Sequence, residues 1–154
     1  MTSGALSLRC TTYAETRTLG RSLAALLRPG DVVIVEGPLG AGKTAFVSGI
    51  GEGLGVTEPV TSPTFTITRR YQSGFLPLVH CDVYRLGSAG EFEDLDILET
   101  VSDAVLVVEW GDMVASSLPA DRLRVVISGQ GDDPRTVTFG PTKSWLTRDL
   151  GLLA

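Results

Sequence analysis

Residues 31–36, DVVIVE, form a short run of β-branched apolar positions, and residues 104–109, AVLVVE, repeat the pattern. Unbroken runs of this kind predict strands buried on both faces of a sheet. Elsewhere the period changes. Thr12 and Glu15 have capping-box spacing, and Leu19, Leu23, Leu26 and Leu27 then mark one helical face, which Pro29-Gly30 ends. Phe46, Val47, Ile50 and Leu54 recur at helical spacing and predict a helix from about 43 to 54. Gly49, Gly51 and Gly53 each weaken that helix by about 1 kcal/mol against alanine, so its second half is expected to be short or irregular. Residues 64–71 alternate in strand fashion, and QSG turns the chain into FLPLVHCDVY, which predicts a hairpin. Ser88 and Glu91 form a second capping box, opening an acidic helix with Phe92, Leu95 and Leu98 on one side. Residues 122–128 and 135–139 read as antiparallel strands around GQGDDP, and PTKSWLTRDL as a closing helix over the last fifteen residues, with Pro141 in its first turn.

The elements alternate as an α/β protein does, and no period of 20–50 residues repeats. The expected architecture is a single three-layer domain over residues 1–154: a central mixed, partly parallel sheet with helices on both faces. With 43% hydrophobic and 20% charged residues the chain has ordinary globular composition. A net charge of −5 gives no support to a protein that grips RNA or DNA through a broad basic face. Cys10 and Cys81 stand far apart, outside any C-x-x-C pair, and read as lone structural thiols in a reducing cytosol. No basic leader with an apolar core precedes the first helix, and no apolar run approaches the ~20 residues that span a bilayer. A cytoplasmic protein without membrane contact is expected.

Residues 37–44 change the picture. GPLGAGKT has the spacing G-x-x-x-x-G-K-[ST] and stands between a predicted strand and a predicted helix. Glycines let the backbone curl into a nest of inward N–H groups, and the helix start adds its dipole. Lys43 supplies a point charge for β- and γ-phosphates, and the Thr44 hydroxyl suits Mg²⁺. The fold is therefore expected to be P-loop NTPase-like, with the ligand beyond the carboxyl ends of the strands.

Such a loop fixes phosphates without naming the chemistry, which needs an acid near the metal or the attacking water. Glu109 ends VLVVE in the hydrophobic-run-then-acid manner of a Walker B strand, and Asp82 ends LVHCD. The competing reading for Glu109 is a solvent-facing strand-end carboxylate, and for Asp82 a residue of an outer hairpin strand. His80, the only histidine, reads as a hydrogen-bonded structural residue rather than a base. Trp110 is either core or a wall of the nucleotide site, and Arg69 and Arg70 read as a solvated strand surface. No N-K-x-D or D-x-x-G motif is present, which argues against a Ras-like GTPase. Two alternatives to an ATPase stay open, a small-molecule kinase and a nucleotide-sensing module without turnover.

The loop, Ser62-Pro63-Thr64-Phe65, the stretch HCDVYRL at 80–86 and Glu109-Trp110 occur in this order. Together they resemble TsaE, formerly YjeE, the small bacterial ATPase family of tRNA threonylcarbamoyladenosine biosynthesis, from about residue 12 to 139. The resemblance implies Mg²⁺-dependent ATP hydrolysis to ADP in support of the TsaB–TsaD pair, which carries the transferase, with tRNA contacted through those partners. It implies that Leu39, Gly40, Ala41, Gly42, Lys43 and Thr44 wrap the phosphates. Thr44, Glu109 and Asp82 would serve the metal, and Lys43, Asp82 and Glu109 the catalysis. Ser62 to Thr64 would form a switch-like loop, with Thr64 and Trp110 at the nucleotide and Tyr13 and Arg135 near the adenine. Pro38 and Ala45 depart from the Asp and Thr of many members, and Gly111 from a proline; neither Pro38 nor Ala45 removes a side chain that the phosphate chemistry needs.

Overall fold

The computed structural model describes residues 5–38, 40–61, 68–83 and 97–153, without the side chains of residues 100 and 111–113. Its strands are β1 (Leu6–Cys10), β2 (Val32–Glu36), β3 (Thr68–Tyr71), β4 (Leu78–Asp82), β5 (Val105–Glu109), β6 (Leu123–Ser128) and β7 (Arg135–Pro141). They form one sheet in the order β1-β7-β6-β2-β5-β4-β3. The centre is parallel, β2 pairing with β5 and β6 and β4 with β5, while β3–β4, β6–β7 and β1–β7 are antiparallel. DVVIVE and AVLVVE are thus the two innermost strands of the parallel part, and every residue of β2 and β5 is buried. The predicted hairpin is present as β3–β4, and β6–β7 is antiparallel as expected.

The two α-helices are α1 (Tyr13–Ala24) and α2 (Lys43–Gly53). Thr12 caps α1 by accepting the Glu15 N–H at 3.1 Å, while the Glu15 carboxylate accepts from the N–H of Thr11, one residue earlier than in the usual reciprocal box. The helix ends at Ala24, and single-turn bonds from Leu26 to Leu23 and from Leu27 to Ala24 carry Leu27 into the core.

Both helices lie on one face of the sheet, over a core that includes Leu19, Leu23, Phe46, Ile50, Val107, Val125 and Phe139. Their crossing explains the glycines. A Cβ at Gly49 would overlap the carbonyl oxygen of Arg17, and one at Gly20 that of Phe46. The expected weakness of α2 is real in propensity but is offset by this close approach, and the helix runs unbroken to Gly53. Among the described residues, the opposite face is closed by the 3-10 turns Ile97–Thr100 and Gly111–Ser117, over Ile34, Cys81, Leu106 and Val108. The acidic helix expected from Ser88 lies outside the described residues, apart from its end at Leu98.

Two elements differ from the sequence reading. β1 extends the sheet beyond β7, with Leu6 opposite Phe139 and Cys10 opposite Arg135. The closing helix is instead two 3-10 turns, Lys143–Thr147 and Leu150–Leu153, because Pro141 is spent at the end of β7 and Lys143 takes a left-handed φ of 44°. Tertiary anchors hold the segment. Trp145 is fully buried, and Arg148 stacks on it while pairing with both oxygens of Asp31 at 2.6 and 2.9 Å. No helix among the described residues is long and apolar enough to cross a membrane.

Candidate functional site

The carboxyl ends of β2, β5 and β4 lie side by side, and the register places Val35 beside Glu109 and Glu109 beside Asp82. Glu109 follows Val105 and Val107, and Asp82 follows Leu78, on the face beneath the two helices. Glu109 is 2% exposed. A carboxylate so deep needs partners. One is His80, wholly buried, whose Nε2 lies 2.5 Å from Glu109 Oε2. The solvent-facing reading of Glu109 is thereby excluded, and the expectation that His80 is hydrogen-bonded is met by an acid of the site itself.

The glycine-rich loop leaves β2 and enters α2 at Gly42, whose φ of 104° a residue with a side chain rarely adopts. No side chain caps this helix start, in contrast to Thr12 at α1. An open helix N-terminus beside a concave loop favours an anion. Lys43 is almost buried, donating from Nζ to the carbonyls of Gly37 at 2.6 Å and Pro38 at 2.9 Å, with Nζ 4.3 Å from the centre of the Trp110 ring. Burial lowers the pKa of Lys43 from the ordinary lysine value, against the opposing pull of Glu109, Asp82 and Glu36. Its charge is therefore held in a place that a phosphate would relieve.

Trp110 follows β5 in a left-handed conformation, φ 63°, with its N–H on the Val35 carbonyl, so β5 and β2 are tied at the level of the loop. Its ring packs against the second core, as the core reading expects, and its face meets the Lys43 ammonium.

Arg135, 6% exposed, reaches the loop from the start of β7. Nε donates to Ala41 O at 3.1 Å, one terminal nitrogen to Gly40 O and Gly131 O at 3.2 and 3.0 Å, and the other to Asp133 O. Tyr13 donates to the same Gly40 carbonyl at 3.1 Å, under the Arg135 guanidinium. Arg135 is thus a brace between the loop and the β6–β7 turn. Beside it lies a cavity of about 190 Å³ lined by Thr11, Thr12, Tyr13, Gly131, Asp132 and Asp133.

Thr44 is the second residue of α2 and is exposed. Hard oxygen donors from Thr44, Glu109 and Asp82 match what Mg²⁺ takes from a protein that leaves the remaining positions to phosphate and water. Leu39 and Thr64, with all of residues 62–67, lie outside the described residues. Sequence reasoning passed over Glu36. It ends DVVIVE as Glu109 ends VLVVE, and that repeated run-then-acid pattern was the available signal.

A family model described as "Threonylcarbamoyl adenosine biosynthesis protein TsaE" matches residues 10–137. The chain belongs to the TsaE family. It is 47% identical over 135 residues to the tRNA threonylcarbamoyladenosine biosynthesis protein TsaE of Bacillus subtilis, covering 87% of this chain and 84% of that one. The TsaE protein of Streptomyces coelicolor is 49% identical over 146 residues, covering 90% and 99%. The crystal structure of Bacillus subtilis YdiB superposes with a TM-score of 0.78 at 39% identity, covering 95% of this chain and 90% of that chain. TsaE membership places the chain in tRNA threonylcarbamoyladenosine biosynthesis and agrees with the mixed α/β sheet.

Proposed function

We propose that the chain is an Mg²⁺-dependent ATPase that supports threonylcarbamoyladenosine modification of tRNA by a TsaB–TsaD complex in the cytoplasm, meeting tRNA only through those partners. The observation that carries this reading is the meeting of Lys43, at the loop–helix junction, with Asp82 and Glu109 on adjacent strand ends. Residues 37–44 bind the triphosphate through backbone N–H groups and the Lys43 ammonium. Thr44, Glu109 and Asp82 would hold Mg²⁺, which would supply neutralisation of the charge developing on the phosphates. The cavity beside Tyr13 adjoins the loop and takes the adenine, with Arg135 fixing its floor.

The work of the cycle is a change in partner affinity between ATP and ADP states, which a small protein can deliver without a substrate domain of its own. Labelled ATP and Mg²⁺, incubated with the pure protein alone and with TsaB–TsaD, test the reading. Free phosphate release that rises with the partners is expected. ADP formed together with a phosphorylated metabolite would establish a kinase instead, and binding without turnover under both conditions would leave only a sensor.

A further inference from the structure

The imidazole of His80 is fully buried in β4, and among the described residues Nδ1 has no hydrogen-bond partner. Its one hydrogen bond goes to Glu109 Oε2. A carboxylate accepts, so in this bond Nε2 is the donor, and Nδ1 is left without a partner among the described residues. An unpartnered buried nitrogen is a cost that leucine of similar volume would not carry. Among the described residues half of the ring's polar capacity is unused, so its bond to Glu109 is what distinguishes this position from an apolar one. Its register partner is Val107, two residues before Glu109 on the neighbouring strand, so the imidazole meets the carboxylate diagonally from beneath.

We propose that His80 is a positioning residue for Glu109: from inside the sheet it fixes the rotamer of the carboxylate and aims it at a divalent cation bound with the nucleotide. This rests on the reading of Glu109 as a metal ligand. A glutamate has three side-chain torsions, and a strand end does little to restrict the outer two. Anchoring one oxygen on a ring that is itself locked by packing removes that freedom before the cation arrives. Hydrogen-bonded outer partners of metal ligands commonly contribute roughly 10–100-fold to metal affinity.

The test is calorimetric titration of a non-hydrolysable ATP analogue, in EDTA and across a Mg²⁺ series, for the parental protein, Glu109→Ala, His80→Leu and His80→Gln. His80→Leu is expected to require roughly 10–100-fold more Mg²⁺ for half-maximal enhancement of binding, with affinity in EDTA unchanged. His80→Gln, whose amide nitrogen reaches toward the Nε2 position, is expected to recover most of the difference. His80→Leu added to Glu109→Ala should change nothing further. A folded His80→Leu with parental Mg²⁺ dependence overturns the proposal, as does equal loss of affinity with and without Mg²⁺. If His80→Leu does not fold, Gln and the shorter Asn carry the test: Mg²⁺ dependence kept in Gln and lost in Asn supports it, and equal dependence overturns it. Unaltered Mg²⁺ dependence in Glu109→Ala would instead remove the ligand reading on which the proposal stands.

Discussion

Lys43 rests on Trp110: its Nζ is 4.3 Å from the ring centre while it donates to the carbonyls of Gly37 and Pro38. A phosphate entering the loop competes for that ammonium and draws it from these contacts. Nucleotide binding should therefore change the fluorescence of Trp110, whereas Trp145, sealed in the core under Arg148, stays silent. Trp110→Phe should abolish the change. Lys43→Ala should weaken binding by about 10–100-fold, the range for a lost hydrogen bond to a charged group. Calorimetry on Lys43→Ala checks this, and parental affinity would remove Lys43 from the site.

Asp82 and Glu109 should matter more for turnover than for binding, because acids placed around metal and water act mainly on the transition state. Alanine at either position is expected to reduce partner-stimulated phosphate release by about 10²-fold or more, with a much smaller change in ATP affinity. Glu109→Ala also leaves the Nε2–H of His80 buried without an acceptor, at a cost of about 1–3 kcal/mol. Urea unfolding should show that loss in Glu109→Ala and a smaller one in Asp82→Ala. Parental turnover in either variant would make that carboxylate structural.

Gly49→Ala sets helix propensity against packing. Alanine favours an isolated helix by about 1 kcal/mol over glycine, yet here its Cβ would overlap the Arg17 carbonyl of α1. Backbone cannot yield as a side chain can, and overpacking typically costs about 1–3 kcal/mol or more. The variant is expected to be less stable than the parental protein, as read from the urea midpoint. A midpoint shifted upward would mean that the two helices are not in the contact described.

Burial pushes the Cys81 thiol up to about 12 and raises that of Cys10 as well. Both should stay neutral and react slowly with thiol reagents at pH 8 until the chain unfolds. The sign of the pH dependence follows. Above about 8.5 the unfolded thiol ionises while native Cys81 keeps its proton, so the unfolded state binds fewer protons and the contribution of Cys81 to stability falls as pH rises. The stability difference between the parental protein and Cys81→Ala should narrow from pH 7.5 to 9.5; a constant difference would contradict the burial of this thiol.

Local chemistry was legible without coordinates wherever one short stretch carries its own geometry. GPLGAGKT names its loop because glycine conformation and the strand–loop–helix order lie within consecutive residues. The unbroken runs DVVIVE and AVLVVE place β2 and β5 at the centre, since only a strand covered on both faces buries every side chain. What tertiary structure alone decided involves residues far apart in the chain. β1 escaped notice because its five residues gain strand character from pairing with β7, some 130 positions later. The closing segment has helical composition, but burial of Trp145 and the pairing of Arg148 with Asp31 outweigh the small propensity of ten residues. Sequence placed Asp82 and Glu109 each at the end of a strand; the parallel register of β4 and β5 made them neighbours and set His80 beneath them. A side chain's type can be read from the chain, but its partner depends on which strands the hydrophobic core brings together.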